Sequence, residues 1–482
     1  MKHAPVTRAL AGGSDRHLII GVVALGVLIR TMWNVFRYPT GASGEAANVA
    51  AAWASGRGFA DSFAVGQGAT AHLLPVTPLV AGVVYRLLGT KSLPAEVLLA
   101  SWSIGLAMAT YLLMFDTFRR LGTPRWSRLA ALAVALLLPI YIKQEAVDFR
   151  IWEGGLAGFL AAAIINRFAA YRDADPGSAE GLLSGIAAVS GLLFFVDPPL
   201  GLGALAGIGA SLLIERRHRA LVRFAVLAAA VIALLVGSWA YRNERALGAA
   251  ILLRSDAGLE LALANYPGAL GAGDRRILFM NRWTTIHPAV SPAAYAAMVR
   301  AGGELAYSDA LLRNTRRWVA AHPGQTGALM LVHMRQLVAP EPWQFRTFGN
   351  PFLPTLRSII AGLVAFAGLI GLSLGWAGDR RRWTPIVVML AVTVVAMSPF
   401  QPILRYPYLL YAPLLFASAH LAGLLRKRFR RDFAPGIKKK SLANEAPGCA
   451  SRSREPGMRW DRTRNGSSWK FHLNLRRKRE AD

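Results

Sequence analysis

The sequence predicts an all-α polytopic membrane protein, and three observations carry that prediction. Apolar residues make up 54% of the 482-residue chain and charged residues only 17%, against roughly 25% charged in an ordinary soluble domain. The apolar residues come in long runs, several close to the ~20 that a helix needs to cross a bilayer, and the mean hydropathy is +0.35. The formal net charge of +28 sits in short clusters between these runs and in the tail. That is the pattern of cytoplasmic loops beside anionic lipid. No basic face on a soluble domain accompanies it, which excludes a nucleic-acid reading. The one cysteine, Cys449, rules out an intramolecular disulfide, and no Cys/His cluster of metal-ligand spacing occurs.

In chain order, Lys2, Arg8 and Arg16 precede the first apolar run, 17–36. The run is longer than a usual signal h-region and reads as an uncleaved anchor with a cytoplasmic N-terminus (1–16). The next apolar piece, 75–89, spans 15 residues. As a helix it reaches about 23 Å, short of the roughly 30 Å hydrocarbon core. Treating it as a span flips every later basic loop to the outside. Treating it as an interfacial helix puts the clusters at 119–128, 171–179, 215–219, 379–382 and 426 onward on one side, as orientation requires. Ten spans follow: 17–36, 96–118, 126–143, 150–170, 181–196, 199–215, 220–240, 354–376, 383–399 and 405–425.

This divides the chain into a membrane module at 17–240 with an external loop at 37–95, an external segment at 241–353, C-terminal spans at 354–425 and a basic tail at 426–482. In the external segment, Ser291-Pro292 reads as an N-cap followed by a proline at the first helical position. Glu304 to Ala321 reads as a second helix, stopped at His322-Pro323-Gly324. Residues 325–337 read as an amphipathic helix. The tail carries 18 Lys+Arg against 6 Asp+Glu, lacks apolar periodicity and reads as disordered. Its Asn465-Gly-Ser467 sequon carries no meaning on the cytoplasmic side.

Charges near membrane depth are candidates for function, because burying them costs several kcal/mol without a use. They concentrate at the expected outer ends of the spans. Glu45 opens a short helix directly after the first span. It reads as an N-terminal acid favoured by the helix dipole or as a general base. His72 reads as an interfacial polar residue or a sugar or phosphate contact. Lys143, Glu145, Asp148, Arg150 and Glu153 crowd one outer turn. They form either a solvated, internally paired turn or a binding surface, and Glu153 lies a turn inside the next span. Arg405 either snorkels to headgroups or clamps a phosphate with its guanidinium fork. Tyr406 is an interfacial aromatic beside it. Arg30 is a phosphate partner or a structural ion-pair member. Asp197, before Pro198-Pro199, reads as a turn-former.

The stretch from Glu45 through Ala54-Ser-Gly-Arg-Gly-Phe59, Thr70-Ala-His72 and Pro75-Val-Thr-Pro78 to Tyr85-Arg-Leu-Leu-Gly89 resembles the first external loop of the polyprenyl-phosphate-sugar-dependent membrane glycosyltransferases of the GT-C fold. That superfamily includes family 39 and the protein O-mannosyltransferases. The resemblance continues through Leu138-Pro139-Ile-Tyr141, Trp152-Glu153, Tyr241-Arg-Asn243, the run from Leu253 to Glu260, His287-Pro288, Gly303-Glu304 and Leu404-Arg-Tyr406. Two departures stand out: a single acid opens loop one, and Pro75-Val-Thr-Pro78 replaces the proline-flanked aromatic. The resemblance implies sugar transfer from a polyprenyl-phosphate donor to a glycan, lipid or protein acceptor at the outer face of a bacterial inner membrane. It implies Glu45 as catalytic carboxylate, Glu153 as a second-loop acid joining it in catalysis, and Arg405 as a phosphate contact; the positions of His72, Lys143, Arg150, Arg30 and Tyr406 add them as candidate substrate contacts. No protein metal ligands are expected; use of a divalent cation is left open. The alternatives are a flippase for a lipid-linked saccharide and a catalytically degenerate scaffold.

Overall fold

Helix length and apolarity decide which segments cross a membrane. The computed structural model of the chain describes residues 13–37, 41–271, 273–345, 352–433, 459–462 and 469–472. It forms two units, Met1–Arg426 and Lys427–Asp482. The first is all-α. Seven of its helices are long and apolar enough to span: α1 (Gly13–Arg37), α4 (Leu93–Arg120), α7 (Gly154–Arg172), α8 (Pro176–Val196), α10 (His218–Leu247), α16 (Phe352–Gly378) and α18 (Arg405–Phe433, which runs on into the second unit).

The other three expected spans are shorter or broken. The 126–143 run is bent: α5 (Arg125–Leu137) turns by 70° into the short α6 (Ile142–Ala146) and a 3-10 turn at Asp148–Arg150. Pro139 lies in the break, where it removes a helical donor. Helix α9 (Pro198–Ile214) has 17 residues, and α17 (Arg380–Met397) opens on three arginines. These two pack closely because Gly203 and Gly207 face α17 without side chains. A Cβ at either glycine overlaps backbone of α17, at Met389 and Pro385 respectively. Small residues let membrane helices approach in this way. Asp197 caps α9, accepting from Leu200 N–H at 3.0 Å, which is the turn-forming role its sequence position suggests.

Helices α2 (Glu45–Ala54) and α3 (Val76–Leu88) belong to the first loop. At 13 residues, α3 reaches about 20 Å, too short to cross. The segment after α10 carries five helices: α11 (Ala257–Ala264), α12 (Arg275–Ile286), α13 (Pro292–Arg300), α14 (Glu304–Ala321) and α15 (Pro323–Val338). The last three fall where capping and proline signals place them, with Ser291 Oγ accepting from Ala294 N–H at 3.2 Å. Helices α11 and α12 were not anticipated, and α10 runs past the expected end at 240.

One apolar core joins α4, α5, α7, α8, α9, α17 and α18. A second lies under α2 and α3 and includes Ala146, Val147 and Ile151 of the bent turn. Two buried ion pairs fix that turn. Arg30, 0% exposed, donates from Nε to Glu145 Oε2 at 2.7 Å and to the carbonyls of Gly26, Leu136 and Ala135 at 2.9–3.0 Å. Tyr111 donates to the other Glu145 oxygen at 2.6 Å. Arg150 Nη1 meets Glu96 Oε2 at 2.5 Å, Nη2 meets Asn34, and Tyr85 donates to Glu96 Oε1 at 2.9 Å.

In the second unit, where the sequence reads as structureless, strands β1 (Arg459–Arg462) and β2 (Trp469–His472) pair antiparallel, with Arg459 opposite His472. Cys449, the 465–467 sequon and the N-terminal Lys2 and Arg8 lie outside the described residues.

Removing one partner of a buried ion pair leaves a bare charge and costs about 3–5 kcal/mol. Arg150→Leu is therefore expected to lower the thermal midpoint of the detergent-purified protein by many degrees, while Glu96→Gln with Arg150→Met together lowers it less. Equal midpoints for wild type and Arg150→Leu would contradict the structural role.

Candidate functional site

The site begins where α1 hands the chain to α2. Gly44, at φ 102° and ψ −171°, adopts a backbone that a side chain resists, and its conformation starts α2 directly at Glu45. The Glu45 carboxylate is largely buried; His287 Nε2 lies 3.5 Å from it, and a ring nitrogen of His72 lies within 4.8 Å. A paired surface acid would hold a Lys or Arg here. Glu45 holds none and opens onto a cavity.

That cavity, about 280 Å³, is lined by Glu45, His72, Arg254, Asp256, Glu260 and His287, with Trp152, Phe279 and Trp283 as apolar walls. His72 is brought in by loop one. A carboxylate from α14, Glu304, accepts from Thr70 Oγ1 at 2.6 Å, Ala71 N–H at 2.8 Å and Ser255 Oγ at 3.0 Å, tying loop one to the segment after α10. The His72 ring lies edge-on to Phe63 at 4.6 Å and to His287 at 6.2 Å. Burial, then the nearby His287 and arginines, push the His72 pKa well down. Burial also lowers His287, against the opposing pull of Glu45. Both rings are therefore neutral at pH 7.

The acids of α11 complete the cavity. Arg254 bonds Glu153 Oε1 at 3.1 Å and approaches Asp256 at 3.9 Å. Burial works against its charge, and these two carboxylates outweigh it. Asp256 and Glu260 are both raised, by burial first and by each other or by Glu45 and Glu153, despite Arg254 and Arg405. The Glu260 carboxylate has no hydrogen bond or ion pair among the described residues.

A second, larger cavity of about 510 Å³ adjoins the first and shares Trp152, Ile403 and Arg405 with it. Its charges are mainly basic: Lys143, Arg357 and Arg405, with Asp148. Arg405 sits over the Trp152 ring, Cζ to ring centroid 4.0 Å, and its Nε is buried with no hydrogen-bond partner among the described residues. Stacking on the indole holds the guanidinium in place while its edge stays available. Lys143 sits 3.4 Å from Asp148. Gln144 donates to Asp148 at 3.2 Å, leaving its buried Oε1 unpaired.

Of the expected site residues, Glu45, His72, Lys143 and Arg405 line these two cavities. Glu153 stands behind them, holding Arg254. Tyr406 packs against the apolar core and its hydroxyl accepts from Arg405 Nη2 at 3.5 Å. Arg30 and Arg150 line neither cavity; each pairs with a buried carboxylate, Glu145 and Glu96 respectively, which for Arg30 is the structural alternative that its sequence position leaves open. Arg254, Asp256, Glu260, Trp152 and His287 were missed as site residues. The motif strings around Trp152, Leu253 and His287 contain them, but no charge pattern marked them.

Glu45, His72 and His287 each offer a ligand atom, all within 4.8 Å of one another. The hydrogen bonding does not suit a metal. Ala289 N–H donates to His287 Nδ1 at 3.2 Å, so the proton of the neutral ring resides on Nε2, the nitrogen facing Glu45. A metal-bound histidine uses the bare nitrogen and donates its other N–H outward; here the arrangement is the reverse.

No protein-family model matches the chain, and no curated protein sequence matches it. Among solved structures, the chain is similar to the oligosaccharyltransferase AglB of Archaeoglobus fulgidus in complex with an inhibitory peptide and a dolichol-phosphate, at 13% identity over 91% of this chain and 53% of that one, TM-score 0.48. It is also similar to ArnT of Cupriavidus metallidurans bound to undecaprenyl phosphate, at 15% identity over 87% of this chain and 81% of that one, TM-score 0.35. The chain thus spans about half the length of the oligosaccharyltransferase chain. At this identity and score, neither likeness assigns chemistry to the chain.

The ligand geometry yields a direct expectation. Adding Zn²⁺ or removing divalent ions with a chelator leaves the thermal midpoint of the purified protein unchanged. A rise with Zn²⁺ that His72→Ala abolishes would show that the three side chains do hold an ion.

Proposed function

We propose that the chain transfers a sugar from a polyprenyl-phosphate-linked donor to a glycan, lipid or protein acceptor at the outer face of a bacterial inner membrane. The observation that carries this reading is the junction of two unlike cavities at Trp152 and Arg405. One is basic and suits a lipid phosphate. The other is acidic, with aromatic walls suited to saccharide rings, and a carboxylate with no Lys or Arg partner among the described residues, Glu45, faces it. The motif order along loop one, the Trp152-Glu153 turn and the start of α18 supports the same class.

In this mechanism the donor phosphate lies against Arg405 and Lys143, and the sugar extends past Trp152 toward Glu45. Glu45 accepts the proton of an acceptor hydroxyl as that oxygen attacks the sugar C1. The bond from C1 to the phosphate oxygen breaks, and its electron pair leaves with the polyprenyl phosphate. Arg405 offsets the charge gathering on that oxygen, as a preorganised cation does. Attack opposite the leaving phosphate inverts the anomeric centre. Glu153 keeps Arg254 charged and in place at the edge of the acidic cavity.

A flippase needs a polar path through the membrane. Four buried charges of the spans and the turn between them, Arg30 with Glu145 and Arg150 with Glu96, are paired with each other, which disfavours that reading.

Glu45→Gln is expected to lower the transfer rate by about 10²–10⁴, the contribution of a positioned general base, with the thermal midpoint within a few degrees of wild type. The assay is transfer from polyprenyl-phosphate sugars extracted from a deletion strain, read by mass spectrometry of the envelope acceptor. Wild-type rate in a folded Glu45→Gln protein would remove Glu45 from the mechanism. Arg405→Lys keeps the charge but loses the fork and the stacking, so it is expected to raise KM for the donor at least several-fold; an unchanged KM would place the phosphate elsewhere.

A further inference from the structure

The side chain in contact with Glu45, His287, is held in one tautomer by a backbone hydrogen bond to its ring. His287 follows the last residue of α12, and its backbone N–H still bonds Trp283 O at 2.9 Å, while its carbonyl accepts from Val290 and Ser291 at 3.2 and 3.1 Å. The ring stands edge-on to Phe63 and Trp283, both at 5.9 Å between centroids. Its Nδ1 accepts from Ala289 N–H at 3.2 Å. A nitrogen that accepts carries no proton, so the ring is neutral and Nε2 carries the hydrogen. Nε2 faces Glu45 Oε1 at 3.5 Å.

We propose that His287 is the positioning residue of Glu45, its Nε2–H closing from the 3.5 Å contact to a hydrogen bond with one carboxylate oxygen when substrate is bound and leaving the other for the acceptor hydroxyl. This rests on the glycosyl-transfer reading of the site. The physical advantage lies in the neutral donor. An imidazolium at this distance would form an ion pair and weaken Glu45 as a base. A neutral N–H fixes the carboxylate rotamer with little loss of basicity, and the contact persists after Glu45 takes the acceptor proton. The backbone of Ala289 supplies the constraint, so no second acid is required behind the ring. Because Nδ1 is already an acceptor, His287 relays no proton onward; it orients Glu45.

Two measurements test this on the full-length protein in lipid. ¹⁵N NMR of histidine-labelled protein is expected to show one neutral Nε2–H ring at neutral pH whose signal is lost in His287→Gln and shifts in Glu45→Gln. A doubly protonated or Nδ1–H ring at His287 overturns the inference whether or not the protein transfers sugar. Kinetically, His287→Leu is expected to lower kcat by about tenfold or more, a share of the 10²–10⁴ that a positioned base supplies, with KM for the donor unchanged. His287→Gln, whose amide N–H can take the Nε2 place, is expected to recover most of kcat. Equal loss in the two variants, or a loss confined to KM, overturns the positioning role. Absence of transfer in the wild type defeats the functional reading instead, and the NMR result separates the two failures.

Discussion

The site depends on two buried ion pairs that hold the 142–150 turn. An isolated charge at this depth is prohibitive, and a buried pair gains little net stability over apolar residues of the same size. What the pairs supply is geometry. Glu145 is gripped by Arg30 from α1 and Tyr111 from α4, and Arg150 is gripped by Glu96 of α4 and Asn34 of α1. The turn between them therefore sits at one fixed place against both helices. Trp152 and Glu153 leave that turn immediately before α7, and from there Trp152 meets Arg405 while Glu153 meets Arg254. Loosening the pairs therefore displaces Trp152, the wall between the two cavities.

A second constraint comes from the segment after α10. Glu304 gathers Thr70, Ala71 and Ser255 with one carboxylate. Loop one and the segment after α10 are thereby locked together, and His72, Arg254, Asp256 and Glu260 arrive in one cavity although they are far apart in sequence. The basic and acidic halves then follow from which element contributes which charge. The 142–150 turn, α16 and α18 bring the cations; α2 and α11 bring most of the acids.

Much of the fold was legible in the sequence because the signals were local. Apolar runs gave the long spans, Ser291-Pro292 gave α13, and Glu304 to Ala321 matches α14 to the residue. The sidedness of basic clusters kept 75–89 out of the membrane, and its helix is too short to cross. The candidate site was less legible because its logic is pairing. Arg30 and Arg405 look alike in sequence, each an arginine near the outer end of a long apolar helix. Only tertiary structure shows that Arg30 reaches Glu145, 115 positions away, while Arg405 lies on Trp152. The acids of α11 were passed over for the same reason: Asp256 and Glu260 in a short helix read as surface charges until burial is known. His287 left one trace, the His287-Pro288 pair, and nothing in that pair announces its tautomer.

The central claim is that the basic cavity receives the lipid phosphate and the acidic one the sugar, with Arg405 and Trp152 between them. The most direct measurement is a cryo-EM structure of the full chain in lipid nanodiscs with a polyprenyl-phosphate sugar and the Glu45→Gln substitution. The account predicts phosphate density against Arg405 and Lys143 and sugar density beyond Trp152, within reach of residue 45. Phosphate density among the arginines at the opposite ends of the helices, around Arg172, Arg217 and Arg382, with both outer cavities empty, would contradict it.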